Sequence, residues 1–208
     1  MVRAFVLLAL GGADGGHAPR GHAPCRVLYA RLFGTPDPGT LDPGTPDPGT
    51  PPRQRLRRKE QLAAVARQVA SQHHLLQSTS GRPLSPQPPQ LPDDPLSLQD
   101  APAGLFQLPP GDPFSQRLTV TWLSALSVAF ALVCDPGENL ALAEMTLRRL
   151  AARLLVTLRL LGPGADVLLR ADAIDVLLDR LLPHGEMLFL NEWVLRDVDR
   201  ELGLKISH

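Results

Sequence analysis

The sequence predicts an α/β domain of the α+β kind, a small sheet flanked by helices, and three stretches carry that prediction. Leu118 to Cys134 reads LTVTWLSALSVAFALVC, without a charge and rich in β-branched and aromatic residues that favour extended chain. Two leucine-rich helical patterns follow it, and a longer helical pattern, Arg53 to Gln77, precedes it. The chain has 208 residues, of which roughly fifty lie in Pro-, Gly- and Gln-rich segments, leaving about 150 for one ordinary domain.

The first elements are strands. Met1 to Leu10 is apolar enough for one, and Cys25 to Phe33 alternates Val27, Tyr29 and Arg31 against Leu28, Ala30 and Leu32 for a second. They pair most simply as an antiparallel ribbon over residues 1–33. The opening residues also have the composition of a secretory signal. Against that stand the two cysteines, Cys25 and Cys134, which lie in predicted strands and suit reduced thiols in a cytosolic fold better than a disulfide framework.

Residues 34–52 hold a five-residue repeat, Pro36 to Thr40 (PDPGT), returning as LDPGT and again as PDPGT. The period is too short for a solenoid unit, and its prolines and scarce apolar side chains cannot build a core. A loop carries such an insertion cheaply, since each doubling of length costs only about 0.6 kcal/mol of closure entropy. Residues 78–102 form a second Pro-rich segment, which suits a linker better than a Pro-rich ligand. Both are expected to be disordered insertions.

Between them, the helix over 53–77 places Leu62, Val65, Ala66, Val69 and Leu76 on one side. It opens on Arg53, Arg55, Arg57, Arg58 and Lys59, with no acid among them. Positive charge at a helix N-terminus opposes the macrodipole by a few tenths of a kcal/mol, so helix stability does not explain the cluster. Arg55, Arg57, Arg58 and Lys59 are candidates for contact with an acidic membrane or partner, beside a plain solvated patch. Nucleic acid is disfavoured by 21 basic against 21 acidic residues and by few aromatic side chains for stacking.

The second half, residues 103–186, begins with a short strand candidate, Gly104 to Leu108. Leu118 to Leu123 and Val128 to Cys134 then read as two strands joined by a turn at Ser124 to Ser127. At about seventeen residues the uncharged run is at the bottom of the membrane-spanning range, and Thr119, Thr121, Ser124 and Ser127 interrupt it. Strands this apolar have both faces covered, so helices are expected on the sheet.

Asp135-Pro136-Gly137 has turn chemistry, and Asn139 stands where an N-cap belongs. From Leu140 a helix is predicted to Leu161, with Ala143, Leu147, Leu150, Leu154, Leu158 and Leu161 as its buried stripe. Leu142, Leu155 and Leu160 lie off that stripe and are candidates for contact with a neighbouring helix or another subunit. Glu144 and Arg148 form a favourable i,i+4 pair. Gly162-Pro163-Gly164 stops the helix, Val167 to Leu169 is a short apolar approach, and a last core helix runs from Ala171 to Leu182. Ala171, Ile174, Leu178 and Leu181 are its inward stripe, and Pro183 and Gly185 close it. The opposite row, Asp172, Asp175 and Asp179, suits a solvated face better than a cation site or acid–base pair, because no His, Cys or further carboxylate run supports one. Residues 187–208 are a C-terminal extension.

Catalytic machinery is not apparent. Gly11 to Gly16 follows a strand but leads into no helix, so a phosphate cradle lacks its helix N-terminus. His73 and His74 are adjacent on a helix and point about 100° apart, unlike an i,i+4 metal clamp. Neither cysteine has CxxC spacing. No enzyme activity, cofactor or metal is expected.

The run VAFALVCDPGENLALAEMTLRRLAARLL, followed by LLRADAIDVLLDRLLPHGE, resembles the second half of the sigma subunits of adaptor protein complexes. Asn139, Leu140, Glu144, Asp179, Gly185 and Glu186 stand at the matching points. MVRAFVLLAL, CRVLYARLFG, LRRKEQLAAVARQV and LLPHGEMLFLN are most similar to the sigma subunit of the fifth complex. The resemblance implies a longin-like five-stranded antiparallel sheet between helices. It implies a non-enzymatic subunit of a heterotetramer in vesicle-mediated protein transport, cytoplasmic and peripheral on late endosomes and lysosomes. The implied partners are a large solenoid (zeta) subunit directly, beta and mu subunits in the same complex, and the spatacsin and spastizin proteins. In related sigma subunits a dileucine signal sits against sheet and long helix, and Ala125 and Leu150 match two pocket residues. Ser127 and Arg159 depart from that pattern, so weak or no dileucine binding is expected. Alternatives are a free longin-type regulator of small GTPases or membrane fusion, and an accessory factor in DNA double-strand-break repair with a minor nuclear pool.

Overall fold

A computed structural model describes residues 1–10, 25–33, 52–79, 98–125, 127–158 and 170–203. Strands β1 (Val2–Ala9), β2 (Arg26–Leu32), β3 (Ala103–Leu108), β4 (Leu118–Ala125) and β5 (Val128–Cys134) form one five-stranded antiparallel sheet in the order β2-β1-β5-β4-β3. Helices α1 (Pro52–Thr79), α2 (Leu140–Thr157), α3 (Ala171–Leu181) and α4 (Glu192–Glu201) accompany it. The predicted repeat loop, most of the Pro-rich linker, Gly11 to Gly16, Arg159, Leu160, Gly162 to Gly164 and Val167 to Leu169 lie outside the described residues.

The uncharged run is a hairpin. β4 pairs with β5 from Ala125 opposite Val128 to Thr119 opposite Cys134. Among the described residues no helix is long and apolar enough to cross a membrane. β5 is the central strand with β1 and β4 on either side, and nearly every residue of the three is buried.

Strand alternation assigns the two faces. Phe5, Leu7, Leu123, Phe130, Leu132 and Cys134 enter one apolar cluster, and Ala4, Val6, Leu8, Val120, Trp122, Ala129, Ala131 and Val133 enter the other. Val2 breaks the period and joins Phe5, because the β1–β5 register shifts between Val2 and Ala4.

Helix α1 covers the second face. Val65, Ala66 and Val69 are buried against it, and Trp122 Nε1 donates to Gln72 Oε1 at 2.8 Å. His73 lies edge-on to the Trp122 ring, centroids 6.1 Å apart. With 28 residues the helix is about 42 Å long, and the leucines of its last turns, Leu75 and Leu76, are exposed. Leu76 was predicted to be inward.

Helices α2 and α3 cover the first face. Asn139 caps α2, its Oδ1 accepting from Leu142 N at 3.1 Å. Of the predicted stripe, Ala143, Leu147, Leu150, Leu154 and Leu158 are fully buried, each leucine contributing about 1.5–3 kcal/mol of burial, and Leu161 lies outside the described residues. Ile174, Leu177, Leu178 and Leu181 of α3 share its cluster.

Helix α4 occupies the C-terminal extension, where the sequence reading placed no element. Asn191 caps it by accepting from Val194 N at 2.9 Å, Glu192 stands in its first turn, and Leu195 is buried in the α2–α3 cluster. Its anchor is an ion pair. Arg153 of α2 donates from Nε and Nη2 to the two carboxylate oxygens of Asp199, each at 2.7 Å, with both side chains buried.

Candidate partner and membrane surfaces

The off-stripe leucines of α2 are a correction. Leu142 and Leu155 are only 8% and 2% exposed, so within this chain they are core and not free contact surface. The neighbouring-helix alternative accounts for Leu155, which shares a cluster with Ile174 and Leu177 of α3 and Leu195 of α4. The large apolar side chains that α2 does expose are Leu140 and Val156. Larger apolar exposure lies just before and within α4, where Phe189 is 81% and Trp193 73% exposed, with Leu188 and Val194 beside them in sequence. The Arg196 guanidinium lies over the Trp193 ring at 5.5 Å.

The aspartate row of α3 is largely solvent-facing as expected, with Asp172 and Asp179 exposed and Asp175 half-buried, but two of its members also have a partner. Arg31 of β2 bonds Asp175 through its carbonyl oxygen at 3.1 Å and Oδ1 at 3.3 Å, and reaches Asp179 Oδ1 at 2.5 Å. The Tyr29 hydroxyl donates to Asp175 Oδ1. Burial, followed by that carboxylate, pushes the Tyr29 pKa up, so the phenol remains a donor. The row therefore ties α3 to the edge strand β2. Among the described residues no group of three His, Cys, Asp or Glu side chains could hold a metal ion.

Ala125 and Leu150, the candidate sorting-signal pair, lie on the same side of the sheet, at one apolar cluster. Ala125 ends β4, partly buried against the cluster that contains Leu150. Leu150 has no exposed surface, so a peptide reaches it only if sheet and helix part. Ser127 is exposed at the hairpin tip.

The basic cluster opens α1 as predicted. Arg55, Arg57 and Lys59 are exposed and Arg58 is half-buried. Arg57 Nε and Gln61 Nε2 both donate to the Pro113 carbonyl oxygen, at 3.1 and 2.9 Å, which holds the β3–β4 connection against the helix. Behind this contact is a cleft of about 190 Å³, between α1 and one end of the sheet. Arg3, Arg58, Gln61, Ser115 and Gln116 supply its polar lining, and Leu62, Phe114 and Leu118 part of its apolar floor. Arg3 Nε donates to Asp135 Oδ1 at 2.7 Å, an oxygen that also accepts from Gln116 Nε2 at 3.2 Å. Sequence reading missed this cleft because Arg3 and Arg58 share no local pattern.

Neither thiol is in the electropositive, exposed setting of a reactive cysteine. Burial raises the Cys25 pKa and pushes Cys134 up to about 12. His73 is pushed down by burial and then by His74, and its ring is occupied by Gln77 and Trp122.

The five-stranded antiparallel sheet lies between helices, the arrangement that the resemblance to adaptor small chains implied. The sequence model of the family described as AP-5 complex subunit sigma-1 matches residues 1–203. The AP-5 complex subunit sigma-1 of Homo sapiens is 50% identical over 151 residues, covering 73% of this chain and 76% of that protein. Its Mus musculus counterpart is 53% identical over 114 residues, 55% of this chain and 67% of that protein. The chain belongs to the AP-5 complex subunit sigma-1 family.

Proposed function

We propose that the chain is a non-enzymatic subunit of a heterotetrameric adaptor, acting in vesicle-mediated protein transport at the cytoplasmic face of late endosomes and lysosomes. The observation that carries this reading is the family match over residues 1–203, nearly the whole chain. In this reading the chain packs directly on a large solenoid (zeta) subunit, joins beta and mu subunits, and works with spatacsin and spastizin. Its contact with the membrane is peripheral and made through the complex.

Phe189 and Trp193 replace Leu142 and Leu155 as the candidate anchors for the large subunit, since exposed aromatic side chains are the usual hot spots of such contacts. Co-expression tests this. The chain alone is expected to be recovered poorly and to become soluble with the large helical-repeat subunit. Replacing Phe189 and Trp193 together by alanine should weaken assembly by about 2 kcal/mol or more while leaving the fold intact. A monodisperse free monomer that gains nothing from co-expression would favour the free longin-type regulator.

A further inference from the structure

We propose that the outer edge of β2 docks an extended, basic segment of another protein, which joins the sheet antiparallel to β2 as a sixth strand. The inference goes beyond the assembly reading and uses other residues than Phe189 and Trp193.

Backbone geometry supplies the template. Strand order puts β2 at one end of the sheet, and among the described residues it pairs with β1 alone. Phe33 N donates to the Arg3 carbonyl oxygen at 2.8 Å. Antiparallel alternation from that bond turns the backbone groups of Arg31 and Tyr29 toward β1 and those of Ala30 and Leu32 outward. An outward row of donors and acceptors is what a further strand pairs with. No proline interrupts the seven residues of β2, and the register shift between Leu7 and Leu8 leaves its Tyr29 to Leu32 end regular.

The two sides of the edge differ, and the difference defines the occupant. On the α3 side stand Asp172, Asp175 and Asp179, and among the described residues Arg31 is the one cation bonded to that row. Arg180, beside Asp179, is taken by Glu201. Three carboxylates against one guanidinium leave this ledge negative, so an added strand is best matched there by lysine or arginine. On the α1 side, Val27, Ala30 and Leu32 are partly buried against the cluster that holds Val65 and Val69, which suits apolar side chains. Side chains of a strand alternate between faces, so the matching segment alternates basic and apolar residues. Its apolar residues lie opposite Ala30 and Leu32 and exchange the backbone bonds with them.

Fluorescence anisotropy on the full chain in its assembled complex tests this, with labelled seven-residue peptides as probes. Alternating Lys-Val should bind at least about tenfold more tightly than alternating Glu-Val. N-methylation of the valines should abolish binding, because it blocks the N–H groups that face β2, whereas N-methylation of the lysines should be tolerated. Asp172→Lys, at an exposed side chain, should cut the Lys-Val preference to about threefold or less. Lys-Val binding that survives valine methylation would overturn strand addition and leave a loose charge contact. Equal binding of Lys-Val and Glu-Val, or no binding of either, would overturn the basic occupant. A complex that holds two copies of the chain and is split by the Lys-Val peptide would assign the edge to a second copy and overturn the partner.

Discussion

Asp199→Ala is expected to destabilise the chain by about 3–5 kcal/mol, because it strands a buried guanidinium. Arg153 and Asp199 are only 3% and 4% exposed, so water cannot replace the lost carboxylate. Of the bonds Arg153 makes to Asp199 and to the Arg149 carbonyl oxygen, just the last, at 3.0 Å, survives the substitution. Because the pair joins α2 to α4, the loss should also loosen the C-terminal helix, with faster proteolysis between residues 186 and 191. Replacing the two partners together, Arg153→Met with Asp199→Leu, removes both charges and should restore stability to within about 1 kcal/mol of the parent. Denaturant unfolding of the three variants measures this. An Asp199→Ala loss under about 1 kcal/mol would mean that the pair is solvated in solution.

Gly185→Ala is expected to cost at least about 2 kcal/mol, from two sources that add. Gly185 has φ +82°, a left-handed conformation that alanine resists. A Cβ there would stand 2.4 Å from the Val2 carbonyl oxygen and 2.6 Å from Phe33 Cβ, so strand β1 or Phe33 must move. The turn after α3 thus packs directly on the first strand and on the residue that follows β2. Thermal melts should show the drop in melting temperature. Alanine at Gly203, also left-handed at φ +66° but with open space around it, should cost less.

The parts of this architecture that were legible in sequence are those set by local periodicity. The β4–β5 hairpin announced itself through an uncharged, β-branched run, and α2 through leucines at threes and fours above the Asn139 cap. What escaped was long-range pairing. The solvated row of Asp172, Asp175 and Asp179 was legible, but not that Arg31, over 140 residues earlier, bonds Asp175 and Asp179. Leu142 and Leu155 look like spare surface when α2 is considered with one neighbour, and Leu155 becomes core once α3 and α4 both pack on it. Helix α4 was missed although Asn191, Glu192 and the spacing of Leu195, Val198 and Leu202 carry an N-cap and a stripe. Of the candidate sites, the basic cluster was visible as a charge run, whereas its cleft depends on Arg3 from another element.

Affinity purification of the tagged full chain from cell extract, with the recovered proteins sized and identified, tests the central claim most directly. The account predicts a stable assembly containing one large helical-repeat chain in equal amount, together with two further subunits, and its loss when Phe189 and Trp193 are replaced by alanine. Recovery of the chain as a free monomer, or with a small GTPase in place of a large repeat subunit, would contradict it.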